Sequence, residues 1–164
     1  MRVWFVLLLV AVSCEKAGPR DDPTPPITPP IEQRKPPGPQ PKVSLQTPDG
    51  EVTVNVEVVS SGPLLQKGLM YRQHLAPDAG MLFLMGYETD HAFYMRNTLI
   101  PLDMIFITKD MEIAGIVQNA EPKTETLRRV GKTSLYVLEV NGGWTASHQV
   151  APGAKVRFEN VTAH

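Results

Sequence analysis

Cysteine is nearly missing from this sequence: Cys14 is the only one in 164 residues. A disulfide within the chain is thereby excluded, and so is a cysteine-based zinc site, since His74, His148 and His164 show no ligand spacing that would replace it. A surplus of charge is missing too. Sixteen Lys and Arg against 17 Asp and Glu leave a net charge of −1, so no basic surface is offered to nucleic-acid phosphates or to anionic lipid headgroups. No apolar run is long enough to span a bilayer: a helix from Val3 to Ser13 would rise about 16 Å, half of a ~30 Å hydrocarbon core. No phosphate loop, nucleophile elbow, metal triad or internal repeat is visible.

What is present begins with an address. Arg2, the apolar run Val3–Val12 and the small residue Ser13 have the order of a signal peptide over residues 1–13. Ala11-Val12-Ser13-Cys14 resembles a bacterial lipobox, with the Cys14 thiol as the atom that receives lipid. An ordinary signal peptide with an incidental cysteine is the competing reading. Glu15 is not the aspartate that retains such proteins at an inner membrane, so the expected location is the outer membrane, facing the periplasm.

Ten of the 16 prolines then fall between Glu15 and Lys42, with almost no large apolar residue. Residues 14–42 are expected to form a disordered tether that, as polyproline II, reaches roughly 85 Å at ~3.1 Å per residue. From Val43 to His164 the pattern is that of one globular domain. Val52, Val54, Val56 and Val58 occupy alternate positions, the period of a half-buried strand. Val43–Thr47 precedes them across the turn residues Pro48-Asp49-Gly50, which predicts a hairpin. Ser61-Gly62-Pro63 opens a short helix through Lys67, and Gly68 is placed to end it. Further strands are expected at Met81–Met85, Ala92–Met95, Leu102–Thr108, Glu112–Gln118, Leu135–Val140 and Ala154–Asn160, with another helical turn within Trp144–Val150. The predicted class is mostly β (α+β), a small, mainly antiparallel, partly closed barrel-like sheet with one or two short helices.

The stretch FYMRNTLIPLD, residues 93–103, concentrates unusual chemistry. Asn97, Thr98 and Pro101 are turn formers, so much of it reads as a structural corner. Asp103 is different. Both alternate sets of Leu102–Ile107 are otherwise apolar, and the same holds for Glu139 in Leu135–Val140, so two acids lie on greasy strands. A buried charge must be paired or hydrogen-bonded. The candidate partners are Arg72 and Arg96, which predicts a polar cleft formed with Tyr94 and Asn97, or else internal ion pairs that set the register of the sheet.

The segments Gly68–Arg72, Gly80–Phe83, Phe93–Asp103 and Leu138–Gly143 resemble the domain-of-unknown-function 192 family over about residues 43–161, with the N-T-x-I-P-L-D core as the specific part. The resemblance implies a small, mostly β, frequently exported single domain, and it implies no particular activity. Matching residues are Arg72, Met95, Asn97, Thr98, Pro101, Asp103 and Glu139, with Tyr94 where many relatives carry tryptophan.

The expected function is a monomeric, lipid-anchored envelope protein with no cofactor, binding a small ligand or an envelope protein partner through Arg72, Tyr94, Arg96, Asn97, Asp103 and Glu139. One alternative is a glycan-acting enzyme with Asp103 and Glu139 as paired carboxylates. Another is a copper-binding protein using Met70, Met81 or Met95 with His91. Methionine as an adaptable core filler competes with the copper reading.

Overall fold

The fold is known from a computed structural model that describes residues 38–162. The expected signal peptide, the Cys14 lipobox and most of the tether lie outside the described residues. Seven strands and two short helices follow in the order β1 (Lys42–Thr47), β2 (Gly50–Val59), α1 (Gly62–Lys67), β3 (Ala79–Thr89), β4 (Leu102–Ile107), β5 (Ile113–Ala120), β6 (Ser134–Asn141), α2 (Trp144–Ser147) and β7 (Val156–Glu159). They form one sheet in the order β5-β4-β6-β3-β2-β1-β7. All neighbours are antiparallel except β2 and β3, whose parallel pairing requires the crossover through α1. The sheet curls until its two edges touch. Residues 111–113 bond to residues 154–156, with Ile113 N donating to Ala154 O at 3.0 Å and Val156 N to Met111 O at 2.9 Å. The result is the mostly β, partly closed half-barrel expected from the strand pattern. Among the described residues no helix is long and apolar enough to cross a membrane.

Local chemistry explains the elements that shape the site. In β2, Val54 and Val56 are buried while Thr53, Asn55 and Glu57 are exposed, the two-residue period of a strand with one wet face. The hairpin closes with Thr47 opposite Gly50, and Gly50 supplies a φ of 128° that a side chain would resist. Ser61 precedes α1 in extended backbone, Pro63 sits in its first turn, and Gly68 at φ 45° ends it by donating its N–H to Leu64 O at 2.9 Å. None of the six residues of α1 is buried. The helix lies at the protein surface, with the half-buried Leu65 packed against the convex core.

Every residue of β4 is buried, so the sheet is covered on both faces. The concave face packs Val54, Val56, Leu82, Ile105, Ile107, Leu138 and Val140 against Trp144. The convex face packs Met81, Phe83, Met104, Phe106 and Val137 under Leu69 and Met95, which come from the loops after α1 and before β4. The strand expected at Ala92–Met95 is absent. Phe93 instead makes one isolated bridge to Arg128, and Asn97 turns the chain at φ 57°. The physical reason is that Phe93 docks face-down on the sheet, meeting Phe83 at 5.2 Å and Phe106 at 6.0 Å, both edge to face. The segment is a cover over the convex face and not a further strand.

Candidate functional site

Asp103 and Glu139 sit on adjacent strands, with Met104 opposite Glu139 in the register of β4 and β6. Because side chains alternate, Glu139 shares the convex face with Met104, whereas Asp103 shares the concave face with Ile105. The sheet separates them. Two carboxylates placed in this way cannot flank one glycosidic bond, which removes the geometric basis of the paired-carboxylate reading.

The two acids are also solvated differently. Asp103 is fully buried, and its Oδ1 accepts from Asn119 N at 2.8 Å and Gly143 N at 3.0 Å. Its Oδ2 accepts from Thr145 N at 2.8 Å and the Thr145 hydroxyl at 2.6 Å. Left-handed backbone at Asn119 and Gly143 bends these turns around the carboxylate. Four donors answer this acid, so it needs no arginine. It ties the end of β5 to the start of α2, and its role is to hold the fold.

Neither arginine pairs with either acid, contrary to the expectation of a buried arginine–carboxylate cleft. Arg72 clamps Glu57 with both terminal nitrogens at the surface, and its guanidinium is held more firmly protonated by that bond. Arg96 reaches Glu125 at 3.8 Å with both side chains mostly in water. Glu57 projects from the wet side of β2 next to the β3 crossover. It satisfies Arg72 where an exposed pair costs little desolvation, and burying the pair would be expensive. Asn97 serves through its backbone, its carbonyl accepting from Tyr71 N at 2.8 Å. Of the six proposed ligand residues, only Glu139 and Tyr94 line the pocket described next; Arg96 and Asn97 lie on a shallow neighbouring surface depression with Tyr94.

That pocket has a volume of about 230 Å³ and opens between the C-terminal turn of α1 and the cover segment. Its walls are Leu65, Met70, Phe83, Met85, Phe93 and Tyr94, with Lys67 and Gly68 at the helix end and Thr98 opposite. Glu139 lies within it at 4% exposure. Among the described residues, no hydrogen bond or ion pair reaches its carboxyl. Burial without a compensating partner pushes Glu139 up from 4.5 to about 8. Gly68 approaches so closely that an added Cβ would stand 3.1 Å from Phe83 Cζ and 3.9 Å from Glu139 Oε2. Thr98, which lines the same cavity, is buried as well.

Sequence reasoning isolated Glu139 and Tyr94 but missed Leu65, Met70, Phe83, Met85 and Phe93 as the walls. The available signal was a six-residue helix with Leu64 and Leu65 but no long apolar stripe, which has to lie against some other apolar surface. The copper set is not gathered. His91 Nε2 is engaged with Tyr87 O at 3.0 Å, and Met81 and Met95 are packed in the convex core.

The family described as DUF192, Uncharacterized ACR, matches the chain over residues 44–158. Two crystal structures are similar. One is of a candidate transcription regulator from Sinorhizobium meliloti 1021, 36% identical with a TM-score of 0.70, covering 73% of this chain and 94% of its own. The other is of a protein of unknown function from Novosphingobium aromaticivorans DSM 12444, 37% identical with a TM-score of 0.69, covering 71% of this chain and 83% of its own. No curated protein matches.

Proposed function

The chain belongs to the DUF192 family, and from that premise we propose that it is an exported, lipid-anchored module that binds a small ligand in the pocket around Glu139. One observation carries this reading. A buried carboxyl with no partner lies in an apolar cavity of about 230 Å³, and a protein does not ordinarily keep such a group in its interior without a use for it. The cavity is an apolar hollow with few convergent polar groups, the usual make-up of a ligand site. Its floor is the rigid sheet, while α1 and the cover segment form its mouth, so access needs no rearrangement of the core.

The N-terminal residues supply the setting. The order Arg2, Val3–Val12, Cys14 supports export and lipidation, and the proline-rich stretch to Lys42 supports a spacer that holds the domain away from the bilayer. The balanced charge gives no support to a nucleic-acid role, whatever the Sinorhizobium relative does. The reading is tested by screening a set of small fragments, with protein-observed NMR following the methyl signals of Met70 and Met85. Fragments that shift these methyls and raise the melting temperature are the expected result. A screen in which no fragment perturbs either methionine would overturn it.

A further inference from the structure

We propose that the pocket takes a primary ammonium group carried on a small apolar body, with the ammonium against the Glu139 carboxylate and the body between the rings and thioethers of the walls. The inference rests on the small-ligand reading above and names its ligand class. Three features of the pocket converge on it.

The first is charge. Glu139 is the one acid that lines the cavity, and the nearby cations are spoken for or turned to water: Arg72 is clamped by Glu57, Arg96 lies with Glu125, and Lys67 is exposed at the rim. An anionic ligand would find no buried cation in the cavity to balance its own charge, so carboxylates and phosphates are disfavoured. An organic cation would supply the missing partner.

The second is the lining. Phe93 and Tyr94 supply aromatic rings to the lining and Met70 and Met85 supply polarizable sulfur, groups that hold organic cations and their apolar bodies together. A hydrated divalent metal ion needs several oxygen ligands, and among the described residues no cluster of three acid, histidine or cysteine side chains exists.

The third is the end of α1. Its last turn, Leu65 to Gly68, borders the cavity. Backbone carbonyls in such a turn can accept hydrogen bonds from an ammonium and offer an anion nothing. Thr98 adds a hydroxyl to the lining, able to accept a second ammonium hydrogen.

Binding displaces a proton in a balanced step. The neutral carboxyl of Glu139 loses its proton to water, and the carboxylate that remains accepts hydrogen bonds from the ammonium. The other titratable groups lining the cavity are Lys67, on α1, and Tyr94, on the cover segment. Since burial holds Glu139 protonated up to about pH 8, ammonium affinity should rise as pH increases from 6 to 8, by at most about tenfold per unit.

Size selects the probes. A cavity of about 150 Å³ admits benzene, so by proportion this one holds about nine non-hydrogen atoms. Phenethylammonium, its neutral counterpart 2-phenylethanol and the anion phenylacetate are therefore titrated at pH 7 against the full chain and its Glu139→Gln variant. Calorimetry in two buffers of different ionisation heat counts the proton. Phenethylammonium is expected to bind at least about tenfold more tightly than the alcohol, to release close to one proton, and to lose its advantage in the variant, with phenylacetate weakest. Equal or tighter binding of the alcohol, or ammonium affinity unchanged by Glu139→Gln, would overturn the ammonium class and leave the pocket standing. If none of the three binds, the pocket reading fails together with it.

Discussion

Removing the Asp103 carboxylate would strand the amides of Asn119, Gly143 and Thr145 and the Thr145 hydroxyl in a buried site. Each orphaned donor costs on the order of 1–3 kcal/mol before relaxation and water entry, so Asp103→Ala should lower stability by about 3–5 kcal/mol, measured by urea denaturation. Asp103→Asn keeps one acceptor but turns an NH2 group against the donors, and it should recover little of the loss. A loss below about 1 kcal/mol for the alanine variant would mean that these four bonds do not tie β5 to α2. Glu139 behaves in the opposite way: no donor answers it, and the change to glutamine removes a liability. That both acids are buried was readable from the apolar alternation of Leu102–Ile107 and Leu135–Val140. Which donors answer each was not, because the amides that bind Asp103 come from turns 16 to 42 residues away.

Gly68 links the element scale to the pocket, since it ends α1 at φ 45° and its Cα faces Phe83 and Glu139. Gly68→Ala should cost about 1–2 kcal/mol through left-handed strain and the crowded Phe83 contact. The added methyl also narrows the approach to Glu139, so fragment affinity should fall; unchanged melting temperature and unchanged affinity together would contradict this placement. In the cover segment, Phe93→Ala leaves a hole between Phe83 and Phe106. A cost of about 3–5 kcal/mol is expected, with faster hydrogen exchange at the amides of Phe93 and Met95 that bond Arg128 and Thr124. The ends of α1 were legible in Ser61, Pro63 and Gly68, and the β1–β2 hairpin in Pro48-Asp49-Gly50, because capping and turn chemistry is local. The cover segment was misread because apolar residues docked face-down on a sheet repeat like those of a strand. The parallel β2–β3 pairing, which carries Arg72 back beside Glu57, depends on long-range topology that a local pattern does not encode.

For the whole molecule, the proposed anchor makes Cys14→Ala a clean test. The variant should fail to incorporate labelled palmitate and should leave the membrane fraction, and a variant still labelled and membrane-bound would contradict lipidation at that thiol. The burial of Glu139 sets the pH response of the fold. Between pH 4.5 and about 8 the folded chain holds a proton at Glu139 that the unfolded chain has released. Stability must therefore fall as pH rises through that window, by a few kcal/mol at most, and level off above it. Glu139→Gln should flatten this slope and be the more stable protein at pH 8.5. The most direct measurement is the ionisation of Glu139 in the folded chain, followed by its side-chain carboxyl carbon in a carbon-13 NMR pH titration with the glutamine variant as assignment. A midpoint near pH 8, moving downward when phenethylammonium is added, is the predicted result. A midpoint in the ordinary glutamate range, unmoved by the amine, would contradict the account.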